Sequence, residues 1–147
     1  MKFADDYKNA RLPNYNYTNG WFFITNRTNN SVPYLTNDTY DLVKTELEEI
    51  YKICKGVSLD YATLVPTHAH CILILKNSEL PLSEIWRRFK ARTTYQAKKN
   101  KLINVSLWQR NFYEHVIRNE KALERIREYI RNNPLKEGLD FNEIYGG

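Results

Sequence analysis

Residues 57–75 read VSLDYATLVPTHAHCILIL: two β-rich runs, Val57 to Val65 and His68 to Leu75, parted only by Pro66 and Thr67. So short a break suits a tight reversal or a bulged connection between antiparallel neighbours, and the two runs are predicted to pair. Ile72, Leu73, Ile74 and Leu75 are apolar at both parities, which predicts a strand buried on both sides. Alternate side chains share a face, so His68 and His70 project together while Ala69 points away. The histidines thus stand at the mouth of a buried strand, where two imidazoles can chelate one metal ion.

Upstream, WFFITNR (Trp21 to Arg27) is aromatic and β-branched and runs into the turn-like TNNSVP, so it reads as the first strand. Beyond the candidate N-caps Asn37 and Asp38, Leu42, Val43, Leu47, Ile50 and Ile53 recur at helical spacing as far as Gly56. Downstream, Pro81 and Ser83 open a second helix with Ile85, Trp86, Phe89 and Thr93 on one side. LWQRNFYEHVI (Leu107 to Ile117) reads as a fourth strand, and Asn119 caps a last helix that NPLKEG ends. The order β-α-β-β-α-β predicts an α+β fold, a ferredoxin-like antiparallel sheet with an added C-terminal helix. One domain over 1–147 is expected: an arm over 1–20, a core over 21–117 and the last helix over 118–134.

A chain of 147 residues, 42% hydrophobic and 27% charged, with 5 Gly and 5 Pro, is neither disordered nor collagen-like. Lys and Arg number 22 against 17 acidic residues, a net charge of +5 that leans toward anionic partners. Two cysteines, Cys54 and Cys71, make no disulfide framework and fit a reducing compartment. No basic-then-apolar leader opens the sequence and no window approaches the roughly 18 apolar residues of a membrane span, so a soluble, cytoplasmic protein is expected.

In RNEKALERIREYIRNNPLKEG (118–138), Ile126, Tyr129, Ile130 and Asn133 fall at i, i+3, i+4 and i+7. The stripe that docks this helix therefore carries a phenol and an amide. Tyr129 is either an amphipathic core tyrosine or a nucleophile, and spacing permits both. Residues 86–101 hold Arg87, Arg88, Lys90, Arg92, Lys98, Lys99 and Lys101 and no carboxylate. Such a face is a solvated surface or a phosphate-binding one, and the charge pattern by itself permits both. Gln109 and Arg110, with Trp108, Phe112 and Tyr113, are residue types able to hydrogen-bond to or stack on nucleic-acid bases, and the aromatic ones serve equally as core.

In order and over nearly the whole chain, GWFFITNRT, YATLVPTHAHCILIL, IWRRFKARTTYQAKK and WQRNFYEHVIRNEKALERIREYIRNNPLKEG resemble the single-tyrosine HUH transposases. The likeness is greatest to the REP-associated tyrosine transposases and extends to the arm RLPNYNYTNG. His68-Ala69-His70 matches the HUH triplet, and Tyr129, Asn133 and Pro134 match the Tyr-x-x-x-Asn-Pro ending. Ala69 is smaller than the usual middle residue, and Thr67 stands where the family commonly has Asn.

The resemblance implies metal-assisted cleavage and rejoining of single-stranded DNA through a 5′-phosphotyrosine link, at hairpin-bearing repeats, with Tyr129 as the catalytic nucleophile. It implies Mg²⁺ or Mn²⁺ held by His68 and His70 with Asn133 as a third ligand; beside such a phosphate-transfer site the basic window and the segment after it read as DNA-binding, with contacts from Arg87, Arg88, Lys90, Arg92, Lys98, Lys99, Gln109 and Arg110. Relatives include monomers using the tyrosine in cis and homodimers exchanging the helix. Two other readings compete: a non-catalytic nucleic-acid-binding protein on the same fold, and a zinc hydrolase using the two histidines without the phenol.

Overall fold

The computed structural model describes residues 17–146, so the predicted arm lies outside the described residues up to residue 16. Four strands, β1 (Gly20–Arg27), β2 (Val57–Val65), β3 (His68–Leu75) and β4 (Tyr113–Val116), form one sheet in the order β2-β3-β1-β4. All neighbours are antiparallel. With α1 (Asn37–Glu48) and α2 (Leu82–Lys99) this is the predicted ferredoxin-like β-α-β-β-α-β arrangement. Two helices follow, α3 (Glu120–Asn132) and the five-residue α4 (Phe141–Tyr145).

Strand alternation gives the sheet two buried faces. Phe22 and Ile24 of β1 with Ala69, Cys71, Leu73 and Leu75 of β3 pack on Val43 and Leu47 of α1 and on Ile85, Trp86 and Phe89 of α2. Phe23 and Ile72 face the opposite way and pack on Leu123, Ile126, Tyr129 and Ile130 of α3 and Ile144 of α4. The Val57–Val65 and His68–Leu75 strands begin and end where the sequence predicts, and Val65 pairs with His68 across the two-residue turn. Gly56, the predicted stop after the first helix, has φ +94°. A Cβ there would stand 2.7 Å from both the Lys76 carbonyl oxygen and the Ser78 Cα, so only glycine fits the approach to β3.

Asn119 caps α3 as predicted, its side chain accepting from the Ala122 amide at 2.8 Å. Thr36, and neither Asn37 nor Asp38, occupies the N-cap position of α1. The fourth strand is a correction: of Leu107 to Ile117, only Tyr113–Val116 joins the sheet. Residues 107–110 are tied elsewhere, with the Gln109 amide on the Arg27 carbonyl, the Trp108 indole on Thr93 Oγ1, and the Lys90 ammonium on the Gln109 and Arg110 carbonyls. These bonds lay the segment across the end of β1 and against α2.

Candidate active site

His68 and His70 share the α3 face of β3, their rings 5.9 Å apart and within 3° of parallel. Phe23 continues the stack on the far side of His70, at 6.2 Å and 8°. The register places Thr25 opposite His70, and the Thr25 hydroxyl meets His70 Nδ1 at 2.9 Å. On the other ring nitrogen, Nε2, sits the Pro134 carbonyl oxygen at 2.5 Å. A carbonyl only accepts, so Nε2 donates and the Thr25 hydroxyl donates to Nδ1. Thr25 can also accept, so the same hydroxyl serves the opposite tautomer, with Nε2 bare for a metal ion. Burial pushes the His70 pKa down to about 4, helped by the neighbouring His68 and opposed by the Pro134 carbonyl, so the ring is neutral at physiological pH.

His68 is held by the Thr67 hydroxyl, 2.8 Å from Nδ1. Thr67, the departure from the usual Asn, thus acts as the orienting group for this ring. His68 Nε2 is buried and has no hydrogen-bond partner. Burial and the positive charge of Arg27 lower the His68 pKa, while Glu137 raises it. Glu137 itself lies 3.2 Å from Arg27 Nε. An orphaned imidazole nitrogen costs stability unless something occupies it, and a neutral imidazole is a good ligand for a divalent ion. The pair fits a sparse metal site on that ground, provided the Pro134 carbonyl gives way at His70. Among the described residues no group of three or more His, Cys, Asp and Glu side chains is placed to hold a metal.

Tyr129 lies on the same face, 5% exposed, in the cluster that contains Phe23 and Ile72. Its hydroxyl makes no hydrogen bond to either imidazole among the described residues. Burial, then the carboxylates of Glu143 and Asp140, raise its pKa, and a hydrogen bond with the Asp140 backbone opposes them. The phenol is therefore held protonated near the start of α4. Asn133 follows one turn on, where its amide group donates to the Tyr129 carbonyl at 3.1 Å and closes the end of α3. The structure thus brings together His68, His70 and the segment 134–137, while the Tyr129 hydroxyl bonds the Asp140 backbone and neither imidazole.

The cations of α2 sort unevenly. Arg87 and Arg88 share Glu84, at 2.5 and 3.6 Å, and Arg92 reaches Glu46 of α1 at 2.5 Å. Lys90 is half-buried and spends its ammonium on backbone carbonyls, and burial lowers its pKa. The window free of carboxylates in sequence is, in space, largely neutralised from outside over its first half. Lys98, Lys99 and Arg110 form no ion pair among the described residues.

Residues 16–133 match the family described as "Transposase IS200 like". The chain belongs to the IS200-like transposase family. An uncharacterised protein of Haemophilus influenzae is 35% identical over 87% of this chain and 88% of its own length. A REP-associated tyrosine transposase of Escherichia coli is 30% identical, over 80% of this chain and 67% of that protein. The solved structure of a REP-associated tyrosine transposase bound to a REP hairpin superposes with a TM-score of 0.68 at 26% identity, covering 87% of this chain and 74% of that one. The resemblance seen in the sequence and the fold predicted from the order of its elements are both borne out. No helix among the described residues of the transposase is long and apolar enough to cross a membrane.

Three residues at the candidate site were not singled out from the sequence, Thr25, Glu137 and Arg27, and Pro134 was named for its motif but not for its carbonyl. Thr25 had a usable signal, since it lies in a strand of known parity, but its place opposite His70 depends on a register that no local pattern encodes.

Proposed function

We propose that this IS200-like transposase is REP-associated and cleaves and rejoins single-stranded DNA beside hairpin-bearing repeats, with Tyr129 as nucleophile. The observation that carries the reading is that the parallel His68–His70 pair and the Tyr129-bearing helix occupy one face of one sheet. Likeness to a relative solved with a REP hairpin supports the class of DNA. In the forward step Tyr129 Oη bonds to the scissile phosphorus as its proton passes to solvent. The bond from phosphorus to the 3′ oxygen breaks, and that oxygen takes a proton and leaves as a free 3′-OH. Attack by a 3′-OH on the phosphotyrosine reverses the exchange.

A phenol with a raised pKa is a poor nucleophile at neutral pH, so charge must be neutralised at the phosphate. Mg²⁺ or Mn²⁺, held by His68 and His70 with Asn133 as a third protein ligand, supplies that polarisation when bound. In its ligand tautomer His70 would have lost the Nε2 proton to solvent and gained one at Nδ1, and that Nδ1–H would donate a hydrogen bond to the Thr25 hydroxyl. Asn133 would ligate through Oδ1, while its Nδ2 group and its backbone amide both hold the Tyr129 carbonyl at the end of α3.

Incubation with hairpin-bearing single-stranded DNA and Mn²⁺ is expected to give a covalent protein–DNA adduct, and Tyr129→Phe to give none. An equally abundant adduct from Tyr129→Phe would falsify the assignment. Hairpin binding without any metal-dependent adduct would instead favour the non-catalytic reading. The tyrosine acts in cis on this reading, with Arg127 of α3 paired to Asp60 of the sheet. Mixing His70→Ala with Tyr129→Phe chains then restores no adduct; restored adduct would mean an exchanged helix.

A further inference from the structure

The uncompensated part of the basic surface coincides with a groove. Between the second half of α2 and residues 106–110 runs an open groove of about 550 Å³, walled by Ala91, Thr94, Tyr95, Lys98, Trp108 and Arg110, with no carboxylate in its lining. A second groove of about 540 Å³, between α1 and α2, is lined by Asp38, Asp41 and Glu46. The two are alike in size and opposite in charge. Positive sign is therefore a property of the first groove and not of the helix layer as a whole.

Three further observations fit the first groove to a nucleic-acid strand. Tyr95 is 61% exposed on α2 and lines the groove together with the unpaired cations Lys98 and Arg110, an aromatic face that the core does not use. The opposite wall is fixed in place: the Leu107 amide donates to Thr94 Oγ1 at 3.2 Å, the Trp108 indole to Thr93 Oγ1 at 2.8 Å, and Lys90 holds the 109 and 110 carbonyls. A rigid wall lowers the entropy cost of binding. The same loop reaches the catalytic end of the sheet, since the Gln109 amide bonds the Arg27 carbonyl and Arg27 pairs in register with His68.

We propose that this groove holds a single-stranded DNA segment, one base stacked on Tyr95 and phosphate oxygens on Lys98 and Arg110. The proposal rests on the DNA-transposase reading and adds to it a binding site and its chemistry. Phosphates select the unpaired cations, the aromatic face selects an unpaired base, and a duplex offers no free base face to Tyr95. The groove grips strand in a sequence-tolerant way and feeds it past Arg27 toward the histidines.

Fluorescence anisotropy with labelled oligothymidylate over a range of NaCl tests this. Tyr95→Ser is expected to weaken binding by about tenfold with the salt slope unchanged, because stacking releases no counterions. Lys98→Gln and Arg110→Gln are each expected to reduce the slope of log Kd against log salt by about 0.7, one phosphate contact apiece. Lys44→Gln, an exposed cation of α1, leaves both quantities at the wild-type value. Failure of the wild-type protein to bind oligothymidylate, or groove variants within about twofold of wild type, overturns the proposal, and tighter binding of oligouridylate overturns its assignment to DNA. The adduct assay separates the two readings. Groove variants that bind and react like wild type sink the groove alone, whereas no adduct from any protein together with weakened groove variants sinks strand transfer and leaves the groove standing.

Discussion

On β3, Ala69, Cys71, Leu73 and Leu75 face α1 and α2, while His68, His70 and Ile72 face α3. The two faces share every backbone hydrogen bond of the sheet and differ in what they do with polar groups. Towards α1 and α2 the two buried indoles are matched within the protein: Trp86 Nε1 donates to Asn26 Oδ1 at 2.9 Å and Trp108 Nε1 to Thr93 Oγ1. Towards α3, His68 Nε2 is left without a partner and His70 Nε2 leans on the carbonyl of a segment beyond the helix. One face is closed and its cost is settled by folding. The other carries an imidazole nitrogen with no hydrogen-bond partner among the described residues, which is how a candidate chemical site differs from a core.

The largest effect expected from this contrast lies on the closed face. Trp86 is fully buried and stacks on Phe89 at 4.6 Å. Trp86→Ala opens a cavity and strands the Asn26 carbonyl, and is expected to cost about 4 kcal/mol of stability in urea unfolding. The Mn²⁺ affinity of the folded fraction should stay at the wild-type value. A fall in that affinity would show that the two faces are not independent.

Thr25→Val should reverse the pattern. The side chain keeps its volume but no longer bonds His70 Nδ1, so a groupwise loss of about ten- to a hundredfold in Mn²⁺ affinity is expected, read by titration calorimetry. Leaving Nδ1 unpaired also costs stability, about 1 to 2 kcal/mol, a smaller loss than Trp86→Ala. Unchanged Mn²⁺ affinity in this variant would remove His70 from the proposed ligand set.

What the sequence made legible follows the same contrast. Period-two alternation was enough to put His68 and His70 on one face, and helical period was enough to put Tyr129 on the docking stripe of α3, because both are local properties of the backbone. Asn119 could be read as a cap for the same reason. The ion pairs of Arg92 with Glu46 and of Arg127 with Asp60 join distant segments, so the basic helix read as more highly charged than it is. Leu107 to Phe112 has strand-like composition, yet its carbonyls and indole are bound by α2 and β1, a tertiary choice that propensity does not register. The short α4 escaped because Phe141 and Ile144 are too few to show a period; it is fixed by Asp140 capping, by Arg125 on the Ile144 carbonyl and by His115 on the Tyr145 hydroxyl.

The smallest expected effect tests how α3 is attached. Between Leu59 and Tyr61 the pairing of β2 with β3 shifts register, leaving Asp60 as the extra residue. A bulge re-aims the side chain it carries. Here the Asp60 carboxylate takes Arg127 Nε at 3.0 Å and Nη2 at 2.6 Å, while the same guanidinium reaches Glu124. The pair is partly exposed, so Arg127→Ala is expected to cost only about 1 kcal/mol of global stability. Its local consequence is larger in kind: amides of α3 should exchange with solvent faster, while those of β3 under α1 and α2 keep their protection. Arg127→Lys restores charge without the two-pronged geometry and should recover only part of the protection. Equal loss of protection on both faces would mean that α3 is no more loosely held than the core helices, and the division between a closed face and an adjustable one would have to be given up.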